Sequence, residues 1–370
     1  MGYRRMIAQA SLTALVVLLF CVPTGVLAWD DCGSGDNPPC PPSEIPPGYA
    51  EDAEERSPQR LKLNIKQITG PIGSRSAQAV EPGSDDTFRR PIFSGTATES
   101  LTGLSAGDFV ESLSDKLGIW ANLSYITSED DSPQTRSDAD LYNFIVGSDY
   151  RLSDRMIVGL AFTYEDMDRT TDYNSGEVQS DGFTLSPYFA MLINDYFGFD
   201  LNTGYSWTSL DQVRRDEGYS ISSSPDAERF FVNLNANGYY YIDNWNIGAT
   251  LGYIYAKEDQ DAFGDSSGIR YSASTVKLGQ AYLNAEASYA FESIEPYLGL
   301  GYEYDMTYDE NKDTFGAAKD EDFDSDGFTF ALGARFLLLD TLQGDFGFTG
   351  VFSRENYSEY GVALNVRYDF

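Results

Sequence analysis

Tyr360-Gly-Val-Ala-Leu-Asn-Val-Arg-Tyr-Asp-Phe370 is the stretch whose reading decides the fold. Tyr360, Val362, Leu364, Val366, Tyr368 and Phe370 make an apolar row at period two, and Gly361, Ala363, Asn365, Arg367 and Asp369 make the alternate row. Such a segment is a strand with one apolar and one polar face. A soluble sheet can use a strand of this kind, but the aromatic residues near both ends of the apolar row suit one that crosses a membrane and meets both interfaces. The apolar row is then expected to face lipid, with Asn365, Arg367 and Asp369 turned toward an enclosed interior.

Moving outward to the other end of the chain, Arg4 and Arg5 form a basic start, residues 12–22 an apolar run, and Val26-Leu27-Ala28 a small-residue cleavage site. Residues 1–28 therefore read as an export signal, with the mature chain expected to begin at Trp29. The bulky Phe20 before Cys21 excludes a lipobox. The chain holds 58 acidic and 25 basic residues, a formal charge of −33, which argues against nucleic acid as a partner. Nothing after the signal reaches the ~18 consecutive apolar residues of a membrane helix. The 26 Tyr, 23 Phe and 34 Gly suit a barrel, whose strands need only one apolar face.

Twelve strand-like runs follow one another from residue 117: 117–126, 139–150, 155–165, 181–192, 196–210, 228–242, 245–257, 276–291, 295–308, 327–339, 343–354 and 360–370. Their connections alternate in length. The short ones, at 152–155, 193–196, 243–244, 292–295 and 340–343, are rich in Asp, Asn and Ser. The long ones, at 127–138, 166–180, 211–227, 258–275 and 309–326, are polar and acidic. Short turns on one rim and long loops on the other predict an outer-membrane barrel with periplasmic turns and extracellular loops. An even strand number lets the first strand pair with the last and leave no edge.

Residues 29–104 differ from this. They carry Asn37-Pro-Pro-Cys-Pro-Pro42, Pro46-Pro47 and an acidic run at 51–55, and read as a largely disordered, Pro-rich extension in which only Leu61-Lys-Leu-Asn-Ile-Lys-Gln-Ile68 alternates like a strand. At 105–116, Ser105 and Asp108 could cap a short helix, with Phe109 and Leu113 on one side, and this helix is expected either on the surface or inside the barrel.

The terminal strand resembles the C-terminal strand of bacterial outer-membrane barrels, which is read as an insertion signal. Gly147-Ser-Asp-Tyr-Arg-Leu-Ser-Asp-Arg-Met-Ile-Val-Gly-Leu-Ala-Phe-Thr-Tyr164 resembles the hairpin between the second and third strands of autotransporter β-domains. Asp181-Gly-Phe-Thr-Leu-Ser-Pro-Tyr188 and Ile294-Glu-Pro-Tyr-Leu-Gly-Leu-Gly-Tyr302 fall where that family has similar segments. The resemblance spans residues 105–370. It implies an all-β fold, a twelve-stranded antiparallel transmembrane barrel with a short luminal helix, for which 105–116 is the candidate. It places residues 29–104 where a passenger would be. The segment is far shorter than most passengers and has no repeat, and no Asn lies between Asn64 and Asn122 for release by Asn cyclisation, so the extension is expected to stay attached. The implied setting is the Gram-negative outer membrane, with lipid and lipopolysaccharide, the barrel-assembly machinery and periplasmic chaperones as partners, and a monomeric state.

Histidine is absent, which removes Ser-His and Cys-His catalysis and the usual zinc and haem ligands, and no cofactor or enzymatic activity is expected. Asp322-Phe-Asp-Ser-Asp-Gly327 matches the opening of a calcium loop, but the closing acid is missing, because the twelfth position is Gly333. Asp322, Asp324 and Asp326 are weak cation ligands at most. Cys32 and Cys40 form a candidate short-loop disulfide. Arg151, Arg155, Arg335 and Arg367 are candidates for inward pairing with acids. The expected function is anchoring or translocation of a short N-terminal segment. The alternatives are a small cation-preferring channel and a surface protein acting through acidic loops.

Overall fold

The structure is a computed structural model and describes residues 58–80, 116–131, 136–172, 174–216, 218–310, 325–339, 342–354 and 356–369. Fifteen strands run in chain order: β1 (Leu117–Asp130), β2 (Ser137–Ser153), β3 (Met156–Thr171), β4 (Gly176–Asn194), β5 (Phe197–Asp216), β6 (Tyr219–Ser223), β7 (Asp226–Ile242), β8 (Trp245–Gln260), β9 (Phe263–Gly264), β10 (Arg270–Tyr271), β11 (Ser274–Tyr289), β12 (Ile294–Glu310), β13 (Asp326–Leu339), β14 (Leu342–Arg354) and β15 (Tyr357–Asp369). Twelve of them form a closed antiparallel barrel. Each pairs with its neighbour in sequence, and β15 returns to β1 from Gly118↔Asp369 to Asp130↔Tyr357. β6 extends the outer end of β5, and β9 and β10 form a small separate hairpin.

Strict alternation in and out makes the wall. Leu364, Tyr360, Leu123, Phe144, Leu160 and Leu251 stand exposed on the outer face, while Asn122, Asn143, Thr163 and Ser206 on the alternate rows are buried within. Tyr196, Phe197, Tyr240, Trp245 and Tyr368 line the outside near the short-turn rim. Phe183, Trp207, Tyr302, Phe328 and Tyr360 form a second exposed aromatic band further up. Above it, tyrosine hydroxyls donate to carboxylates: Tyr125 to Asp140 at 2.6 Å and Tyr205 to Glu228 at 2.5 Å.

The strands run furthest past their expected ends on the long-loop side. β3 takes in 166–171, β4 begins at Gly176 and β5 continues to Asp216, all stretches whose acidic composition reads as loop. Backbone pairing continues beyond the bilayer because the ladder needs only a partner strand, whereas composition reports only where lipid ends. For the same reason the expected loop 211–227 is largely the β5–β6 hairpin, turned at Gly218 with φ +89°, and 258–275 holds β9 and β10.

A larger departure concerns residues 61–68. They are not a strand in a disordered extension but part of α1 (Pro58–Val80), a helix inside the barrel. Leu61, Leu63 and Ile65 alternate in sequence, yet all three are buried, because over residues 60–65 the lumen buries every side of the helix rather than one face. Gly70 and Pro71 weaken the helix intrinsically, so packing rather than propensity holds it. The signal segment 1–28, the cysteines and the candidate helix at 105–115 lie outside the described residues. Lys116 forms a turn, after which Leu117 opens β1.

Candidate functional site

The lumen is the site, and α1 occupies it. Leu61, Ile65, Ile68 and Ile72 recur down one side of the helix and pack with Trp120, Ile145, Ala161, Ala190 and Phe231 of the wall. Leu63 joins a second cluster with Ile126, Leu141 and Met167.

The basic residues of α1 meet acids of the opposite wall. Arg60 pairs with Glu258, which also holds Arg229 at 2.9 Å, and Arg229 reaches Glu165 at 3.0 Å. Lys62 binds Glu303 at 2.7 Å and Asp305 at 3.3 Å, and Lys66 binds Glu303 at 2.9 Å with Glu359 at 3.8 Å. Arg354 closes this second group on Glu303 and Asp305 at 2.9 and 3.1 Å. Charge balances across the network. Glu165, Glu258 and Arg229 leave one negative charge on the wall, Glu303, Asp305, Glu359 and Arg354 leave two, and α1 supplies three positive ones. Buried ions need such pairing, since an unpaired charge in this position is strongly destabilising.

A second luminal cluster sits toward the short-turn rim. Trp120 Nε1 donates to Tyr188 Oη at 2.8 Å, Tyr188 donates to Asp149, and Arg367 pairs with Asp149 at 3.1 Å. The three large side chains lie over glycines of the neighbouring strands: Trp120 over Gly147, Tyr188 over Gly159 and Arg367 over Gly118. A further group, Asp200 with Asn235 and Asn237 at 2.8 and 2.6 Å, faces the lower part of α1, where a side chain at Gly73 would crowd Asn235.

Among the candidates for inward pairing, Arg335 contacts Glu286 at 2.5 Å and Glu295 at 3.2 Å, and Arg367 pairs as above. Arg155 does not point inward. It lies exposed in the turn after β2 and pairs with Asp195 of the next turn on that rim at 3.1 Å, because it stands just before the β3 ladder begins. Tyr360, Val362, Leu364, Val366 and Tyr368 are exposed on the outer face, Asn365 accepts from Asn122 of the adjacent strand β1 across the seam at 2.8 Å, and Phe370 lies outside the described residues. Asp326 opens β13 opposite Tyr304, whereas Asp322 and Asp324 lie outside the described residues. Glu165, Arg229, Glu258, Glu303 and Arg354 are the functional side chains that sequence reasoning missed. Their signal was a charge at an inward position of a strand, which is costly unless a partner enters the lumen.

A closed twelve-stranded barrel with an apolar exterior, aromatic bands and a helix ion-paired inside it defines an outer-membrane β-barrel with a plugged lumen. The autotransporter beta-domain profile matches residues 119–349, and the chain belongs to that family. No curated protein matches the sequence. Among solved structures, the barrel is similar to the translocator domain of the autotransporter NalP from Neisseria meningitidis. The TM-score is 0.59 and the identity 14%, covering 71% of this chain and 94% of that one. The beta domain of the Bordetella autotransporter BrkA aligns with a TM-score of 0.57 at 15% identity over 69% of this chain and 100% of the other. The transport unit of AIDA-I from Escherichia coli aligns with a TM-score of 0.51 at 9% identity over 75% and 95%. The protein is thus an integral barrel of the Gram-negative outer membrane with an anchoring or translocating role.

Proposed function

We propose that the barrel carries the residues before α1 through its lumen, displays them outside the cell, and then keeps them attached by holding α1 as the plug. The polarity of α1 carries this reading. Its first turn meets Glu258, two residues from the long-loop end of β8, and Gly73 lies near Asp200, three residues from the short-turn end of β5. A 23-residue helix is about 34 Å long, enough to run from rim to rim. The chain preceding Pro58 therefore leaves at the extracellular rim, and the chain after Val80 leaves on the periplasmic rim, where β1 starts.

On this reading residues 29–57 are the displayed segment, with Cys32 and Cys40 bonded in an oxidising compartment. No reaction is catalysed. Tyr360 to Phe370 serve as the insertion signal read by the barrel-assembly machinery after delivery by periplasmic chaperones, and the folded barrel stands as a monomer among lipid and lipopolysaccharide. Epitopes inserted near residues 50 and 95 test the topology. The first is expected to be protease-accessible on intact cells and the second only after the outer membrane is permeabilised. The reverse pattern would overturn the proposal.

A further inference from the structure

The two walls of the lumen are built differently. On β3, β7, β8, β12 and β15 the buried charges Glu165, Arg229, Glu258, Glu303, Asp305 and Glu359 engage α1 or one another, as described above. On β1 to β5, besides the paired acids Asp149, Glu165 and Asp200, the inward face carries a set of small neutral groups, several of which lack a partner. Asn122 stands in direct register with Ile145, then Thr163, Thr184 and Ser206, while Ser124 pairs with Asn143 on the next rung. Asn143, Thr163, Ser186 and Asn202 are all at most 1% exposed, and none of their side-chain polar atoms has a hydrogen-bond partner. The free oxygens of Asn122, Ser124 and Thr208 add to the set.

Such groups are costly to bury unpaired, and α1 does not use them. Its apolar stripe packs among Ile145, Ala161 and Ala190, which are interleaved with the polar positions. The wall therefore suits an occupant other than the resident helix. Amide and hydroxyl side chains donate and accept equally, so they can bond the N–H and C=O groups of an extended chain whatever its sequence. A helix satisfies its own backbone internally and leaves them idle. We propose that Asn143, Thr163, Ser186 and Asn202, with their neighbours, are a track that hydrogen-bonds the main chain of the segment in transit, with α1 its last and poorly matched occupant. This rests on the display reading given above.

The track and a purely structural role predict opposite signs. Substituting N143L, T163V, S186A and N202L together removes the polar groups while keeping the branching of each side chain close to the original. The plugged barrel is expected to convert to its unfolded form at a higher temperature on unboiled gels, because unpaired buried groups are gone. Display is expected to slow. An epitope near residue 50 of pulse-labelled protein should become protease-accessible at least threefold later, since one backbone hydrogen bond is worth roughly two- to tenfold in a transient contact. The control L210A, which removes a buried apolar contact with Val178 and Ala227 away from α1 and the track, should lower the conversion temperature and leave the display rate unchanged. The single T163V and S186A variants carry the same comparison if the fourfold variant does not assemble. A lower conversion temperature with an unchanged display rate would mean that structural water satisfies these groups, and would overturn the track alone. A wild-type epitope that never becomes accessible would overturn the display reading and the track with it.

Discussion

At the scale of single residues, glycine and aspartate do the most specific work. Gly252 faces the lumen opposite Tyr282, whose ring occupies the space a side chain at that position would need and whose hydroxyl bonds Asn233 at 3.0 Å. Gly252→Val is expected to force Tyr282 off this position and to destabilise the barrel by about 1–3 kcal/mol, measured as a lower conversion temperature on unboiled gels. Asp265 organises the loop between β8 and β11. It accepts from Ser267, from the Ile269 amide and from Tyr271, and it pairs with Arg214 of β5 at 2.9 Å, while Ser266 bonds Ser222 of β6. Burial pushes its carboxyl up, but these donors outweigh burial and hold it below the ordinary carboxylate range. Its folded-state pKa is thus depressed, so its contribution is complete above the unfolded value and is lost as pH falls through the folded one. Protease cleavage within 261–273 should increase below about pH 4. Asp265→Asn should be cleaved readily at neutral pH and show little further change on acidification. The carboxylate was visible in the sequence as one acid in an acidic loop, but its role was not, because the donors come from β5 and from three positions in its own hairpin.

Among elements, α1 shows where sequence reading stops. The strands were legible because each presents its pattern alone: one face to lipid, one to the lumen, and a turn where both end. Leu61-Lys-Leu-Asn-Ile-Lys reads as a strand by the same logic, since period-two alternation is normally the mark of a half-buried sheet. The lumen removes that logic by burying every side of the helix over residues 60–65, and Gly70 and Pro71 suppress the propensity that would have argued for a helix. The one usable sign was the i,i+4 pair Lys62 and Lys66, which sit on one face of a helix and on one face of a strand alike. What selects the helix is the acidic wall, assembled from β3, β8, β12 and β15. Reversing the three cations, R60E, K62E and K66E together, sets acids against acids at buried sites. The expected result is loss of the plug with the barrel intact: heat-modifiable migration retained, and steady conductance in planar bilayers where the parent protein is closed. A variant that stays closed would show that the apolar stripe of Leu61, Ile65, Ile68 and Ile72 suffices to hold α1. Arg229→Leu tests the wall itself. It strands Glu165 without its partner and leaves Glu258 with Arg60 alone, and is expected to cost about 3–5 kcal/mol.

For the molecule as a whole, the question is what closes the barrel. β15 pairs with β14 on one side and with β1 on the other, so it joins the last strand of the barrel to the first. Every other pairing among the twelve barrel strands is between neighbours joined by a turn or loop and can form as the chain collapses locally, but β1↔β15 spans the domain and must form last or be held open until insertion. An open barrel in lipid would leave two edges of unpaired backbone, which the hydrocarbon region does not tolerate. On the proposed reading, closure and insertion are coupled through the segment Tyr360–Phe370, where Tyr360, Val362, Leu364, Val366 and Tyr368 supply lipid-facing area. Asn365 and Arg367 join it inward to Asn122 and Asp149. Two changes separate the two functions of this strand. Deleting Phe370 removes an aromatic residue beyond the β15 ladder and leaves Asn365 and Arg367 in place, so outer-membrane levels should fall while the molecules that do insert keep the parent conversion temperature. Arg367→Leu leaves the outer row untouched but strands Asp149, so levels should change less while the inserted barrel converts at a lower temperature. Normal outer-membrane levels without Phe370 would remove the terminal residue from the insertion signal and leave the seam with β1 as the feature that commits the chain to the membrane.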